Sequence, residues 1–149
     1  MTVNGSVTSG DYFAFYGLLK QGADGMPAHI DLEAAGAFLG PCRLIGDLHD
    51  LGGFPGLVRG DTLCHAVLYQ IRDTSIVTDL DAFEDVLPDE PQRSLYQRIK
   101  SAVFDDAGKP TGDQAWIYCY NQCVTGKPLI EDGNWPLQGG RRPATPEEA

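Results

Sequence analysis

Asp11-Tyr-Phe-Ala-Phe-Tyr-Gly-Leu-Leu-Lys-Gln-Gly22 carries an apolar, aromatic-rich stretch straight into a glycine-punctuated turn. Residues 12–16 show no polar alternation, the pattern of a strand buried on both faces, which places this strand near the centre of a sheet. Gly17 lacks a Cβ, so the backbone there can turn sharply and a ligand can approach it closely. Two readings follow. Gly17 simply turns a corner, or the backbone amides of Gly17, Leu18 and Leu19 point into a pocket as donors for an anion or oxyanion.

Outward from this stretch, residues 1–10 are rich in Gly, Ser and Thr and read as a loose end. Residues 21–25 form a loop, and Pro27 suits a first helical turn. Leu32, Ala35, Phe38 and Leu39 then recur at helical spacing and predict a short helix over 30–39, stopped by Gly40-Pro41. Residues 42–48 suggest a strand, and 50–56 carry a dense turn signal. Residues 63–71 predict a strand with His65, Val67, Tyr69 and Ile71 on one face. His65 reads there as a packed or edge residue rather than a catalyst. A hydroxyl cap at Thr74 or Ser75 precedes a helix over about 76–86, and prolines make 87–92 a loop. Residues 95–104 form a strand with Tyr96, Arg98 and Lys100 on one face. A hairpin leads to an aromatic strand over 114–120 with Trp116, Tyr118 and Tyr120 together. From Pro136 onward Pro, Gly and charge predict a mobile tail. The expectation is one domain over 1–149, with its core at about 12–135 and flexible ends at 1–10 and 136–149.

Composition narrows the partners. The chain has 149 residues, 42% of them hydrophobic, enough for one sizeable core. A formal charge of -10, with only 11 Lys and Arg, argues against nucleic acid or an anionic membrane surface and favours a small molecule. No leader pattern or membrane-length apolar run is visible, so a cytoplasmic location is expected. Cys42, Cys64, Cys119 and Cys123 lie within or beside apolar runs and read as reduced, buried thiols. They lack zinc-like spacing with His29, His49 or His65, and no metal or cofactor is expected.

The helix over 76–86 holds the chemically informative residue. At about 100° per residue, Phe83, Ile76, Leu87, Leu80 and Val77 share one arc. Glu84 falls inside that arc, whereas Asp79, Asp81 and Asp85 fall outside it as a solvated face. A carboxylate turned inward loses hydration and suits a general base or acid near neutral pH. Alternatively, Glu84 lies at the edge of the stripe and reaches water, Arg98 or Lys100. No nucleophile elbow, metal-binding His pair, dinucleotide loop or phosphate loop accompanies it.

In order along the chain, these features resemble the gamma-glutamylcyclotransferase-like family. Phe13-Ala-Phe-Tyr-Gly-Leu-Leu19 is similar to its opening strand and Tyr-Gly-Ser/Thr-Leu turn. Gly40-Pro-Cys-Arg-Leu-Ile-Gly46 with Asp50-Leu-Gly-Gly-Phe-Pro-Gly-Leu-Val58 resembles its middle segment, and Ala66-Val-Leu-Tyr-Gln-Ile71 its next strand. Leu80-Asp-Ala-Phe-Glu84 matches Leu-Asp-x-x-Glu, whose glutamate is catalytic in the family. Tyr96-Gln-Arg98, Ala115-Trp-Ile-Tyr118 and Ile130-Glu-Asp-Gly-Asn-Trp135 resemble the Tyr-x-Arg, Ala-Trp-x-Tyr and closing Ile-x-x-Gly-Asp-Trp segments. The chain differs in having Leu18 for a Ser or Thr, His65-Ala66 near a Gly-Glu, and Asp85 where glycine is common. The Pro88 to Pro91 loop adds bulk as well. These differences bear on the choice of substrate.

The resemblance implies an α+β fold, a small, mostly antiparallel, partly closed β-barrel flanked by short helices. It also implies an enzyme that cleaves a gamma-glutamyl amide by attack of the substrate's own α-amine on its γ-carbonyl. That ring closure releases 5-oxoproline and a free amine and needs no protein nucleophile, metal or cofactor. Glu84 would be the general acid/base. Substrate-binding residues would be Tyr16, Gly17, Leu18, Leu19, Tyr96 and Arg98, the last as a counter-charge. Two alternatives are the same fold acting on another small amide, and a small-carboxylate-binding domain that has lost catalysis. The aromatic strand faces would serve a homodimer as well as a core.

Overall fold

The computed structural model describes residues 5–17, 19, 20 and 29–135. Five strands close into a ring in the order β1-β3-β2-β4-β5. They are β1 (Tyr12–Phe15), β2 (Gly36–Asp50), β3 (Pro55–Ile71), β4 (Tyr96–Phe104) and β5 (Pro110–Tyr120). The hairpins β2–β3 and β4–β5 are antiparallel, as are β1–β3 and β2–β4. Strand β1 completes the ring by running parallel to β5 at Tyr12↔Ala115 and Phe13↔Trp116. The sheet is therefore mixed and fully closed, where a partly closed barrel was expected.

Strand β1 is buried on both faces, as its lack of alternation predicts. Ala14 and Tyr16 join Leu44, Leu48, Cys64, Ala66, Val103, Ala115 and Ile117, alternate residues of all five strands, in the interior of the ring. Phe13 and Phe15 face outward with Tyr69, Ile71, Trp116 and Tyr118. That outer layer is covered by α1 (Leu32–Ala35), by α2 (Val77–Phe83) and by the single 3-10 turn before it.

Helix α1 has only four residues, and the predicted helix over 30–39 does not form. Asp31 caps it by accepting the Ala34 N–H at 3.1 Å. The helix ends where Gly36 turns extended, with φ 176 and ψ -152, and the Leu32 carbonyl, which the next helical N–H would take, accepts the Tyr69 hydroxyl at 2.6 Å. Gly36 instead starts β2, opposite Ile71, in a space so tight that a Cβ would collide with the Gln70 carbonyl and the Tyr69 hydroxyl. An irregularity between Phe38 and Gly40 leaves Leu39 out of the pairing and 49% exposed. The apolar residues at 38 and 39 thus belong to a bulged strand, and Ala35 ends α1.

Other boundaries also shift. Asp73, not Thr74 or Ser75, caps the α2 region, its carboxylate accepting from the Ser75 N–H at 3.0 Å. The helix ends at Phe83, so Leu87 leaves the stripe and is 38% exposed. Residues 5–10 bond to the sheet at two points. The Gly10 N–H donates to Ile71 at 2.7 Å, and the Gly5 carbonyl accepts from Arg98 at 2.7 Å. The expected mobile tail at 136–149 and the loop at 21–25 lie outside the described residues. No helix of the described residues is long and apolar enough to cross a membrane.

All four thiols are free. Burial pushes the Cys42 thiol up to about 12 and the Cys64 thiol up to about 11. Cys123 departs from the expectation of burial. It is exposed, and its hydrogen bond with Thr125 draws its pKa down. A thiol-exchange reagent at pH 8 is expected to label Cys123 first and Cys42 and Cys64 only after denaturation, read by peptide mapping. Equal labelling rates in the native protein would contradict these burials.

Candidate active site

A cleft of about 340 Å³ opens where β1 stops. It is lined by residues from β1 and its turn (Ala14, Phe15, Tyr16, Gly17, Leu19), by Phe54 and Pro55 at the foot of β3, and by Glu84, Tyr96 and Tyr118.

The opening follows from strand length. Beyond Phe15, strands β3 and β5 approach each other directly at Leu57↔Cys119. The Tyr16 hydroxyl stitches this join, donating to the Tyr118 carbonyl at 2.5 Å and accepting the Leu57 N–H at 3.1 Å. With that bond made by a side chain, the main chain leaves the sheet at Gly17. A Cβ on Gly17 would lie 2.6 Å from Pro55 Cγ, so only glycine lets the turn press against the start of β3. The Lys20 N–H closes the turn onto the Gly17 carbonyl at 3.0 Å. Leu19 is 3% exposed. Leu18 lies outside the described residues.

Glu84 is held by the way α2 ends. Its N–H still bonds the Leu80 carbonyl at 3.1 Å. The Asp85 N–H then bonds Ala82 at 3.1 Å and the Val86 N–H bonds Asp81 at 3.0 Å, the paired bonds of a Schellman cap. Asp85 takes the left-handed conformation that this cap requires, with φ 53, which is why glycine suits its position. The chain reverses immediately after Glu84. Its side chain faces the cleft and the residue is 7% exposed. Among the described lining residues it is the only carboxylate.

The other expected site residues divide into two groups. Tyr96 is fully buried, lines the cleft, and donates its hydroxyl to the Pro55 carbonyl at 2.5 Å. Arg98 does not line the cleft. Its guanidinium lies over Trp116, 4.8 Å from the ring centre, and grips Asp81 through Nε at 2.9 Å and Nη2 at 3.1 Å. Asp81, read from periodicity as solvated, is therefore a buried-side anchor. It also accepts the Tyr118 hydroxyl at 2.6 Å. Burial, then the Asp81 charge and this hydrogen bond, then the Glu84 charge hold the Tyr118 phenol well above its ordinary pKa.

Sequence reasoning missed Tyr118, Phe54 and Pro55 as lining residues. Tyr118 was legible as one face of an aromatic strand. The Phe54-Pro55 contact with Gly17 is long-range and leaves no local signal.

The Arg98–Asp81 pair ties α2 to the sheet behind the cleft. Arg98→Met leaves the Asp81 carboxylate under-compensated and is expected to cost about 2–4 kcal/mol, discounted because Asp81 retains some solvent contact. That is about 5–10 °C in the thermal midpoint, read by calorimetry or circular dichroism. A midpoint within about 1 °C of the unaltered protein would contradict the anchoring role.

The family model described as "Gamma-glutamyl cyclotransferase, AIG2-like" matches residues 13–137. The gamma-glutamylcyclotransferase family protein ytfP of Citrobacter rodentium is 36% identical over 88 residues, covering 59% of this chain and 65% of the relative. The YtfP family protein of Escherichia coli K12 is 34% identical over 100 residues, covering 62% and 76%. The solution structure of ytfP from Escherichia coli superposes with a TM-score of 0.58 at 28% identity, over 83% of this chain and 95% of that one. An aig2-like protein from Mus musculus gives a TM-score of 0.57 at 22% identity over 94% and 93%, a likeness of fold. The chain belongs to the gamma-glutamyl cyclotransferase, AIG2-like family.

Proposed function

We propose that the chain cyclises a gamma-glutamyl amine, amino acid or peptide, releasing 5-oxoproline and the free amine. The observation that carries this reading is Glu84, a carboxylate almost removed from water and facing a cleft whose other polar groups are phenols and backbone. A substrate that contains its own nucleophile asks this much of a protein. It needs a proton acceptor, donors for developing charge, and walls that fold the substrate onto itself.

In the proposed reaction Glu84 takes a proton from the substrate α-ammonium. The freed amine adds to the γ-carbonyl carbon, forming a carbon–nitrogen bond and a tetrahedral oxyanion. Collapse of that oxyanion breaks the original amide bond as Glu84 returns its proton to the leaving nitrogen, and the excess proton on the ring nitrogen then passes through Glu84 to the departing amine, which leaves as an ammonium. The backbone amides of the turn at Gly17 and Leu19 supply donors to the substrate carboxylate or the oxyanion. One such donor is typically worth about 3 kcal/mol of transition-state stabilisation. Tyr16 and Tyr96, their hydroxyls committed to backbone, act as rigid walls that hold the ring-closing pose. Arg98 serves the site indirectly, by fixing Asp81 and hence the helix that carries Glu84.

The test is release of 5-oxoproline from a panel of gamma-glutamyl amino acids, peptides and alkyl or aryl amines, run beside Glu84→Gln. Turnover of at least one member is expected, with kcat lower by about 10²–10⁴ in the variant and its melting temperature retained. Full turnover by a folded Glu84→Gln protein would remove Glu84 as the base. Silence of the unaltered protein across the panel, with 5-oxoproline still bound, would point to another amide substrate or to a binding domain.

A further inference from the structure

Lys20 is the buried lysine of the described residues, only 4% exposed, and the reaction above does not use it. It closes the turn that begins at Gly17. Its ammonium points away along the chain, donating to the Trp135 carbonyl at 2.6 Å and to Asn134 Oδ1 at 3.2 Å. Those residues end a strap laid across the ring. The Asp50 N–H donates to the Pro128 carbonyl at 2.8 Å and the Ile130 N–H to Leu48 at 2.7 Å, pinning the strap to the end of β2. The His65 N–H donates to the Gly133 carbonyl at 2.7 Å, pinning it to β3. Trp135 then enters the ring interior, 6% exposed, beside Tyr16 and Cys64 in the same core.

Burying an ammonium is costly, and burial depresses the Lys20 pKa, with the negative Asp132 in the strap opposing that shift. A methionine would fill similar space without this cost. What the lysine adds is a charged donor that, among the described residues, only the strap satisfies.

We propose that Lys20 is a positioning residue, latching the strap 128–135 to the back of the ligand turn, so that docking of the strap and correct placement of the turn amides are one coupled event. This deepens the cyclotransferase reading and rests on it for its kinetic consequence. The strap holds the turn from behind, while Pro55 holds Gly17 from the front. Whatever the turn amides hold, substrate carboxylate or oxyanion, should then depend on the latch, whereas Glu84 is positioned separately by α2.

The test compares Lys20→Met and Lys20→Arg with the unaltered protein by hydrogen exchange and by steady-state kinetics. Lys20→Met is expected to speed amide exchange in both 129–135 and the turn at 17–20. It should lower kcat/KM about tenfold, the loss of one charged hydrogen bond felt through the turn amides. Lys20→Arg, which keeps the charged donor, should recover part of that loss. Unchanged exchange in either segment would overturn the latch, as would faster exchange of both with an unchanged kcat/KM. If Lys20→Met fails to fold, Lys20→Gln, which keeps a neutral donor, carries the same comparison. Absence of turnover in the unaltered protein would overturn the cyclotransferase reading instead. The exchange data, which need no substrate, would still decide the latch.

Discussion

Strand β1 has four residues in a ring whose neighbours β3 and β5 have 17 and 11, and the cleft follows from that mismatch. The ring needs β1 for closure, because its parallel pairing with β5 joins the two hairpins. It also needs β1 to end early, because the space beyond Phe15 is the cleft. A strand that simply stopped would leave backbone groups of β3 and β5 without partners in a buried place. The Tyr16 hydroxyl takes the Tyr118 carbonyl and the Leu57 N–H in its stead. The main chain is thereby released to turn at Gly17.

The second requirement is a carboxylate aimed into that space and kept there. A seven-residue helix has little intrinsic stability, so α2 depends on its ends and on what it packs against. Its cap at Asp85 and Val86 fixes the direction of Glu84. Its inner side is bolted to the sheet by Asp81, which receives Arg98 from β4 and the Tyr118 hydroxyl from β5. Leu-Asp-x-x-Glu, Tyr-x-Arg and Ala-Trp-x-Tyr, far apart in sequence, therefore meet at one carboxylate. Only the Glu and two tyrosines of these segments line the cleft; Asp81 and Arg98 hold them in place.

Elements governed by local pattern were legible in the sequence. The missing alternation in 12–16 identified a strand with two buried faces, and alternate aromatic residues oriented β4 and β5 correctly. The inward placement of Glu84 was readable from helical spacing, even though the helix ends one residue before it. The failures were tertiary. Nothing near residue 36 in sequence reveals that the chain will pair there with Ile71 and Gln70 of β3 as a bulged strand. Periodicity assigned Asp81 to solvent because it cannot register a buried arginine 17 residues away. Phe54, Pro55 and Tyr118 became site residues through contacts across the ring, which a linear reading does not contain.

The central claim is that the substrate supplies its own nucleophile, with Glu84 moving the proton. Turnover of a gamma-glutamyl substrate in water enriched in oxygen-18, followed by mass spectrometry of the acidic product, tests this most directly. The account predicts 5-oxoproline carrying no oxygen from solvent, formed in equal amount with the free amine. Glutamate carrying one solvent oxygen would mean that water is the nucleophile and would contradict the claim.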